Sequence, residues 1–530
     1  MIKLLSVPYL PTFSSGIAAN QRGNGSDSCI NLNNHNVDTQ AFMHFCEDVE
    51  LLHGGGFDGH SLFSCDTQRG HWNTVMGPLK DPSKPGSLWI WNHANANLTT
   101  TESGRLIYND THAAPTQLIL EDFPANRTFH PLGTRFDAEM GRLFVVNHAR
   151  EASAIEIFQL SNNGSSVSVN HLHTLQDPLA THTPNSIVVL PGNRLYVTQD
   201  HFVSKRSPGI KQLTETYKAL LGAKRAFLAA PLARIFTVPF IADVASRLET
   251  LLAVRGGFVT LVDWSESAPP TSQVVLSRIA FPNGITLSRS GETLAIASTT
   301  THSVHLFRPL EDWSISARPT HIIPLDFLPD NIALVNRNDR SISFDDPLEG
   351  DSLTVTGHPA ALKLLAFAKQ PYRFMTASYV CRRDDGSVFT GMDIIPRAYG
   401  VAPGRSVMIS WSASGKTDAK QGFIKPPSQH VKDWTYQEIY SGRGSMPVPS
   451  EKKKAEAETV QSSAISQAQD QSKYWTFADL HPHHTRASSM LDELGLDTTS
   501  AAVVDTNARL SIVVGLYARS VLVCQTAERI

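Results

Sequence analysis

The chain has 530 residues, 41% of them hydrophobic, which is enough to bury a large core. Its formal net charge of −3 argues against nucleic acid as a partner, because such proteins carry a strong positive field. No run of eighteen apolar residues occurs, so no membrane-spanning helix is expected.

Residues 1–28 are interpreted as an N-terminal segment, and residues 29–530 as a single domain. The first ten residues make a poor signal peptide, because Pro8 interrupts a short apolar stretch. Asn-x-Ser/Thr sequons nevertheless suggest a glycoprotein of the secretory route, secreted or membrane-associated. These sequons begin at Asn24, Asn97, Asn109, Asn126 and Asn163.

The five cysteines are an odd number, so at least one is unpaired or makes an intermolecular bond. A bridge between Cys29 and Cys524 would tie the two ends of the chain together. The alternative is a set of buried reduced thiols in a cytosolic protein.

A glycine-containing turn followed by a β-branched or alternating run recurs along the chain. The repeated units lie at 103–108, 141–146, 192–198, 291–297, 386–391 and 508–515. Six such units with irregular spacing predict an all-β fold, a six-bladed β-propeller with insertions in its loops. A solenoid would need a tighter period, and a doubly wound fold would need a helix after each strand.

Two segments depart from this pattern. Residues 207–252 predict two helices, since Leu213, Tyr217, Leu220 and Leu221 recur at helical spacing. This basic, amphipathic insertion is either a lid or membrane-surface element, or a helix packed on the propeller. Residues 441–473 have little apolar content and are predicted to be a disordered or loosely helical insertion.

Acids and amides beside apolar stretches are the candidate functional residues, because an unpaired carboxylate or amide is costly there. They are Glu47-Asp48, Asn185 in Thr-Pro-Asn-Ser, Asn283 in Phe-Pro-Asn-Gly, and Asp330-Asn331 in Leu-Pro-Asp-Asn. Oxygen atoms of this kind are the ligands of calcium, which takes six to eight of them. For each asparagine alone, the alternative is a capped turn.

These motifs, with Cys46-Glu47-Asp48-Val49-Glu50, Val145-Val146-Asn147-His148 and Gly357-His358-Pro359, resemble the serum paraoxonase/arylesterase family. The resemblance covers about Cys29 to Cys524, interrupted by the two insertions. It implies a six-bladed propeller that hydrolyses lactones and esters with calcium. It also implies an inner, catalytic calcium held by Glu47, Asn185, Asn283, Asp330 and Asn331. That calcium would polarise the carbonyl for attack by water.

The resemblance further implies an outer, structural calcium at Asp48, at the position of Ser186, and at a backbone carbonyl near Thr134. Ser186 departs from the family, which has an acid there, and a hydroxyl is a weaker calcium ligand than a carboxylate. The second site is therefore weak, uses Asp200 instead, or is absent.

The family pairs two histidines over the calcium to activate water, and His148 matches one of them. The other falls at Leu132, which cannot take a proton. We expect His130, two residues earlier on the same strand face, to reach the site if the loop shifts. Otherwise His148 or Asp330 acts alone, Asp330 as base or nucleophile. His201 and His358 match family positions near the pocket.

Three functions remain open. The first is a calcium-dependent hydrolase of lactones or aryl esters, with a small-molecule substrate. The second is a calcium-stabilised propeller without turnover that binds a ligand, a lipid or a partner, which Leu132 and Ser186 favour. The third is a propeller related to strictosidine synthase that needs no metal.

Overall fold

The computed structural model describes residues 29–335 with short gaps at 36, 81, 83, 97, 101–105, 109–113, 165 and 326. Beyond them it describes 348, 351–358, 500–516 and 521–525, and the backbone of four strands between 380 and 441. The N-terminal segment 1–28 lies outside the described residues, and so does the insertion 441–473 apart from Ser441.

Strands dominate the described residues. The first fifteen are β1 (Cys29–Asn31), β2 (Cys46–Leu52), β3 (His60–Cys65), β4 (Ser87–Asn92), β5 (Leu98–Thr100), β6 (Leu106–Tyr108), β7 (Thr116–Gln117), β8 (Leu120–Glu121), β9 (Pro131–Asp137), β10 (Arg142–Asn147), β11 (Ala154–Asn162), β12 (Val167–Leu175), β13 (Pro184–Leu190), β14 (Arg194–Gln199) and β15 (Gly257–Asp263). The others are β16 (Thr271–Ile279), β17 (Pro282–Leu287), β18 (Leu294–Ser298), β19 (Ser303–Phe307), β20 (His321–Pro324), β21 (Leu328–Val335), β22 (Ser352–His358), β23 (Val380–Arg382), β24 (Val388–Thr390), β25 (Arg405–Trp411), β26 (Trp434–Ser441), β27 (Ala501–Asp505), β28 (Leu510–Val514) and β29 (Leu522–Gln525).

Antiparallel four-stranded sheets are the main units of the fold. Their strand orders are β2–β3–β4–β7, β13–β14–β15–β16, β17–β18–β19–β20, β21–β22–β25–β26 and β27–β28–β29–β1. A further sheet runs β9–β10–β11–β12 and gains β8 as a fifth, parallel strand. Sheets in which each strand pairs with the next along the chain are typical of propeller blades.

The first strands of these sheets form a closed ring. β2, β9, β13, β17, β21 and β27 contact one another in that order, and β27 contacts β2 again. The prediction of an all-β propeller is therefore confirmed. Five of the sheets in the ring have four strands, and the sixth has five because it gains β8. The number of regular four-stranded sheets is therefore one fewer than the six blades predicted.

Apolar side chains fill the space between neighbouring sheets. Phe144, Val146 and Ile155 of one sheet pack with Ile187 and Val197 of the next, and all five are fully buried. Burying each such side chain stabilises the fold by roughly 1.5–3 kcal/mol. The alternation of these residues along the strands explains why the repeated units could be recognised in the sequence.

The two ends of the described chain share one sheet. β1 pairs with β29, and the register sets Cys29 opposite Cys524. The Cys524 thiol is disulfide-bonded. This register supports the predicted Cys29–Cys524 bridge, which stays a prediction. A second disulfide, Cys46–Cys65, joins β2 to β3 and was not predicted.

Two of the recurring units lie outside the main sheets. The predicted strands at 103–108 and 386–391 form β6 and β24, which belong to separate two-stranded sheets, β5–β6 and β23–β24. Their pattern therefore predicted the strand correctly but not its place in the propeller, because a short hairpin and a blade edge share the same alternation.

Helices are few. They are α1 (Val37–Phe42), α2 (Ile210–Leu221), α3 (Ala229–Phe236) and α4 (Pro239–Leu251), with 3₁₀ turns at Leu32–His35, Ala223–Leu228 and Thr299–Thr301.

The insertion 207–252 therefore holds three α-helices, and the prediction of two was wrong. Gly222 at φ 68° ends the first helix, and Pro239 begins the last one after an extended Val238. Leu213 and Tyr217 are buried as their spacing predicts. Among the described residues, no single helix is long and apolar enough to cross a membrane. The pair 223–236 and 239–251, bent by 111°, passes that test together.

Candidate active site

Each predicted inner ligand lies at an irregularity in the pairing of a first strand with its neighbour. The register shifts between Cys46 and Asp48 on β2, and between Pro184 and Ile187 on β13. It shifts again between Pro282 and Ile285 on β17, and between Pro329 and Ile332 on β21. A bulge leaves a residue unpaired and redirects its side chain. Proline before each Asn or Asp also removes a ladder donor at three of these positions.

Close approach of two backbones brings β17 beside β21. A Cβ added to Gly284 would lie 2.5 Å from the Ile332 nitrogen and 2.6 Å from the Asn331 Cα. Only glycine allows this contact, which holds Asn283 next to Asp330 and Asn331. Gly133 serves the same purpose on β9, where an added Cβ would lie 2.5 Å from the Asn185 carbonyl oxygen.

The five predicted inner ligands, here called the ligand ring, are all buried: Glu47, Asn185, Asn283, Asp330 and Asn331. Two contacts connect them directly. Asn283 Nδ2 donates to Asp330 Oδ1 at 2.5 Å, and Asn331 Nδ2 donates to Glu47 Oε1 at 3.0 Å. Because the amide nitrogens point at carboxylates, the orientation of both amide oxygens is fixed.

Oxygen atoms of the ligand ring lack hydrogen-bond donors. Glu47 Oε2 and the Oδ1 atoms of Asn185, Asn283 and Asn331 are buried and have no partner among the described residues. A buried acceptor without a donor is costly, and native proteins contain few of them. Four such oxygens from four different strands are the environment in which a hard cation would replace the missing donors.

The electrostatics of the ligand ring point the same way. Burial, followed by the charges of Asp48 and Asp330, raises the pKa of Glu47 well above its ordinary value. Arg69 and the Asn331 amide only partly offset this. A positive charge beside a carboxylate in such surroundings would favour its ionised form.

A pocket opens onto the ligand ring, with about 630 Å³ of empty space including its mouth. Glu47, Asn185, Asn283 and Asp330 line it, whereas Asn331 reaches it only through Glu47. The rest of the wall mixes apolar and hydrogen-bonding groups. These residues are Arg69, Trp72, Asn73, Thr74, Val75, Met76, His130, Leu132, His148, Phe281, Thr299, His358 and Leu516.

The donor set is poor in the residues that most metal sites use. In the part of the chain that the structure describes, no group of three or more His, Cys, Asp or Glu side chains could hold a metal ion. The ligand ring supplies two carboxylates and three amides instead. Such a set fits calcium, which accepts amide and carboxylate oxygens alike, and does not fit zinc.

Asp48, predicted to bind a second calcium, has a hydrogen-bond donor for each carboxylate oxygen. Its Oδ1 accepts from the Val49 N–H at 3.0 Å, and its Oδ2 accepts from the Thr134 N–H at 2.8 Å. In this it differs from Glu47, whose Oε2 has no donor among the described residues. The Thr134 N–H, not its carbonyl, faces Asp48. Ser186 donates its own N–H to Thr198 Oγ1 and brings no charge.

His148 is fully engaged. Its Nε2 lies 2.7 Å from the Pro184 carbonyl oxygen, which can only accept, so Nε2 carries the proton. Its Nδ1 then accepts from the Thr74 hydroxyl at 2.5 Å. Burial lowers the pKa of His148 to about 4. His148 is thus a neutral imidazole held between β13 and the loop of Thr74.

Leu132 and His130 lie on the same wall of the pocket. Leu132 also packs in the apolar cluster of Phe144 and Ile187. His130 immediately precedes β9, and its Nδ1 lies 2.9 Å from Asp66 Oδ2. His130 lines the pocket without a shift of the loop, and its catalytic role stays a prediction. Asp66 was missed, because a single acid after a strand has no distinguishing pattern.

The two remaining histidines occupy different places. His358 lines the pocket, and its Nε2 is 3.4 Å from Asp330 Oδ2. His201 lies beside a smaller neighbouring pocket, where its Nδ1 bonds Asp200 Oδ1 at 2.7 Å and its Nε2 bonds the Thr250 hydroxyl. Asp200 Oδ1 is therefore engaged by His201, while its Oδ2 is buried without a hydrogen-bond partner among the described residues.

Comparison with protein families finds a match to the Arylesterase family over residues 81–230. Serum paraoxonase/lactonase 3 of Mus musculus is 26% identical over 239 residues, which is 45% of this chain and 51% of that protein. The Oryctolagus cuniculus protein of the same name is 24% identical over 51% of this chain and 62% of its own length. Serum paraoxonase/arylesterase 1 of Mus musculus is 23% identical over 54% of this chain and 61% of its own length.

The chain thus spans between about half and three fifths of these relatives. The resemblance drawn from the motifs is confirmed. Among solved structures, a putative gluconolactonase matches 64% of this chain and 80% of its own at 12% identity and a TM-score of 0.29. The PQQ domain of pyranose dehydrogenase from Coprinopsis cinerea covers 91% of this chain and 93% of its own, at 9% identity and a TM-score of 0.38. Scores this low support no conclusion.

Proposed function

Because this chain is related in sequence to the serum paraoxonase/arylesterase family, we propose that it is a calcium-dependent hydrolase of lactones, aryl esters or both. One observation carries the proposal. Four buried oxygens of the ligand ring lack hydrogen-bond donors, and three of the four residues that carry them line one pocket. The closed contact of six first strands supports six blades, with the five-stranded sheet counted as one of them.

Glu47, Asn185, Asn283, Asp330 and Asn331 would hold the ion. When bound, calcium would polarise the ester carbonyl and stabilise the negative charge that develops on its oxygen. Five protein ligands leave room for water and substrate, since calcium takes six to eight oxygens. The second, structural calcium is not part of the proposal, because Asp48 has donors for both of its oxygens.

The pocket wall supplies the other functions. Phe281, Val75 and Leu516 form an apolar surface that suits the ring of a lactone or the aryl group of an ester. His130, His148 and Asp330 are the candidates for moving a proton. Asp330 is held from both sides, by the Asn283 amide and by His358, which suits a ligand that also acts as a base.

A hydrolysis assay tests the proposal. The purified chain is incubated with a phenyl ester and with an aliphatic lactone, in calcium and in a calcium chelator. We expect turnover of at least one substrate in calcium and its loss in chelator. The variant Asn283→Ala should lose both turnover and the calcium effect, whereas Asn162→Ala, an exposed amide bonded to Gly56, should keep both. Turnover that is equal in chelator would contradict the proposal.

A second candidate is a calcium-stabilised binding module without turnover. Leu132 favours it, since a leucine stands at the position where the family has a histidine and packs in an apolar cluster. This function predicts the same calcium-dependent melting and saturable binding of lactones without hydrolysis. The product assay separates the two, because only an enzyme releases the hydroxy acid or the phenol.

We also propose that the insertion 207–252 contacts a lipid surface and that the protein follows the secretory route. Large apolar side chains stand exposed there, Phe227 at 74% and Phe240 at 77%, near exposed Lys224 and Arg225. The Cys46–Cys65 disulfide suits an oxidising compartment. Co-sedimentation with anionic vesicles tests the contact. Phe227→Ser with Phe240→Ser should reduce it, and Ile119→Ser, equally exposed on another face, should not.

A further inference from the structure

Three histidines line the pocket, and two of them, His130 and His358, have a buried ring nitrogen without a hydrogen-bond partner among the described residues. His358 bonds Asp330, a member of the ligand ring, so the comparison that matters for the proton acceptor is between His130 and His148. His148 donates from Nε2 to the Pro184 carbonyl and accepts at Nδ1 from Thr74. Both nitrogens are therefore occupied, and neither can take a proton from water without breaking one of these bonds. Its matching position in the family does not make His148 the proton acceptor in this chain.

His130 has the opposite arrangement. Its Nδ1 faces Asp66 Oδ2 at 2.9 Å, and a carboxylate can only accept, so Nδ1 carries the proton. Its Nε2 is then a lone-pair acceptor. That atom is buried and has no hydrogen-bond partner among the described residues, and the ring lines the same pocket as Glu47 and Asp330. An unsatisfied imidazole acceptor beside the candidate metal ligands is where a reacting water would be held.

Asp66 is built to hold that ring. It is completely buried, and its Oδ1 accepts from the Gln68 N–H at 2.8 Å. Burial alone would raise the pKa of Asp66, but His130, Arg69 and the Gln68 N–H outweigh it, so the pKa lies below its ordinary value. Asp66 is thus ionised at neutral pH and keeps His130 in the Nδ1-protonated tautomer.

The backbone around the pair is fixed as well. The His130 N–H donates to Asn147 Oδ1 at 2.8 Å, and the His130 carbonyl accepts from the His148 N–H at 2.9 Å. Arg69 donates to the Pro131 carbonyl at 2.8 Å, which ties the segment of Asp66 to the start of β9. These contacts hold the imidazole and the carboxylate in one geometry, as an acid–base pair requires.

We propose that Asp66 and His130 are the acid–base pair of this site, with His130 as the catalytic base and Asp66 as its positioning residue. The inference rests on the proposed hydrolase function. His130 Nε2 takes a proton from water as the water oxygen bonds to the ester or lactone carbonyl carbon. The same proton then passes to the leaving oxygen as the carbon–oxygen bond breaks. An ester plus water gives an acid plus an alcohol, and no other reactant is needed.

Kinetics of Asp66→Asn and His130→Gln test the pair, with His53→Gln as an exposed histidine control. His130→Gln should lower kcat at least about 100-fold, because general acid–base catalysis contributes 10²–10⁴-fold. It should keep the calcium-dependent rise in melting temperature, since the ligand ring is untouched. His53→Gln should behave as the unmodified chain. His130→Gln with more than half of the original kcat would overturn the pair while leaving the proposed hydrolase intact.

The pH profile separates positioning from simple structural support. In Asp66→Asn the limb of kcat/KM that rises with pH should move to lower pH. The positive form of the imidazole is less stable without the facing negative charge, so the neutral base is available at lower pH. The other charged or titratable groups that line the pocket with His130 are Arg69, His148, Glu47, Asp330 and His358, and they are unchanged in this variant. A limb that does not move would overturn the role of Asp66.

A spectroscopic measurement needs no activity. The chain is labelled with ¹⁵N-histidine, and the His130 signals are identified by their loss in His130→Gln, or by their change in Asp66→Asn if the first variant does not fold. We expect the Nδ1-protonated tautomer in the unmodified chain and a loss of this preference in Asp66→Asn. The Nε2-protonated tautomer in the unmodified chain, or an unchanged preference in Asp66→Asn, would overturn the pair. An unmodified chain that hydrolyses nothing but shows these signals would overturn the proposed function and the catalytic role together.

Discussion

Two groups of buried polar residues lie on or beside strand β2, and their oxygen atoms are treated differently. Glu47 of the ligand ring has an oxygen without a donor, as do three asparagines around it. One residue further on, Asp48 has backbone N–H donors for both oxygens, and Glu50 receives the Phe136 N–H at 3.0 and 3.1 Å. We call Asp48 and Glu50 the acid pair.

The difference separates a cation site from a structural one. Burial raises the pKa of Asp48 to about 6 and that of Glu50 to about 7, so burial alone does not distinguish them from Glu47. The number of hydrogen-bond donors to each carboxylate oxygen does distinguish Asp48 and Glu50 from Glu47. The acid pair is satisfied by backbone N–H donors, whereas Glu47 and the three asparagines of the ligand ring each keep an oxygen that a positive partner would satisfy.

The largest effect should come from removing charge in the ligand ring. Asp330→Asn keeps the size of the side chain but replaces a charged calcium ligand by a neutral and weaker one. We expect at least about a 100-fold loss of kcat, comparable to losing one transition-state donor. The variant should also melt at the same temperature in calcium and in chelator. If the variant keeps the calcium-dependent rise in melting temperature, the ion binds elsewhere, and the distinction between the ligand ring and the acid pair fails.

A smaller effect should follow from separating two first strands. Gly284→Ala puts a Cβ 2.5 Å from the Ile332 nitrogen, and overpacking of this kind costs roughly 1–3 kcal/mol. Because Asn331 must move, calcium titration should also show weaker binding. Gly164→Ala is the matched control, since its Cβ would meet nothing within 4 Å. It should leave calcium binding unchanged. Equal calcium affinity in both variants would exclude the close approach as a determinant of the ring.

A third test concerns a buried group whose unpaired atom needs no cation. His182 donates from Nε2 to the Phe202 carbonyl at 2.9 Å, and its Nδ1 has no partner among the residues described. Burial lowers its pKa from 6.5 to about 4, so it is neutral in the folded chain. As pH falls, His182 is therefore protonated in the unfolded chain before it is protonated in the folded chain.

His182 therefore contributes stability that is complete above about pH 6.5 and is lost as pH falls towards 4. Chemical unfolding in chelator should show this loss, of about 1–3 kcal/mol for a shift of this size. His182→Gln should have a flatter pH dependence over the same window. An identical slope in the two proteins would mean that His182 is not buried as a neutral group.

The smallest effect should come from the acid pair. Asp48→Asn loses one of two backbone hydrogen bonds, and we expect a loss of about 1 kcal/mol in the free energy of unfolding. The rise in melting temperature on adding calcium should equal that of the unmodified chain. A reduced calcium effect would show that Asp48 binds the ion after all, as the family resemblance implied.

Much of the architecture could be predicted because it depends on local alternation. The strands at 141–146, 192–198, 291–297 and 508–515 are confirmed as β10, β14, β18 and β28. The extra helix in 207–252 was missed, although Gly222 and Pro239 are both visible in the sequence, because an apolar stripe can continue across a break. The Cys46–Cys65 disulfide was not predicted, since the register that sets the two cysteines opposite each other across β2 and β3 depends on a bulge.

The candidate site also contains some residues that could be predicted from the sequence and others that could not. The ligand ring followed from motifs, because four of its five residues sit in a short Pro-Asn or Pro-Asp-Asn context at the start of a strand, and Glu47 follows Cys46 at the start of β2. Asp66 and the engagement of His148 by Thr74 and Pro184 could not be predicted. They depend on contacts between residues 36 to 74 positions apart, for which the sequence has no local signal.

Thermal unfolding of the unmodified chain, in calcium and in chelator, tests the central claim most directly. If the unpaired oxygens of the ligand ring hold calcium, the ion stabilises only the folded chain. The gain is about 2.7 kcal/mol when calcium exceeds its Kd 100-fold, so the melting temperature rises with calcium concentration. Identical melting in calcium and in chelator would contradict the account, because the four oxygens would then have no cation to bind.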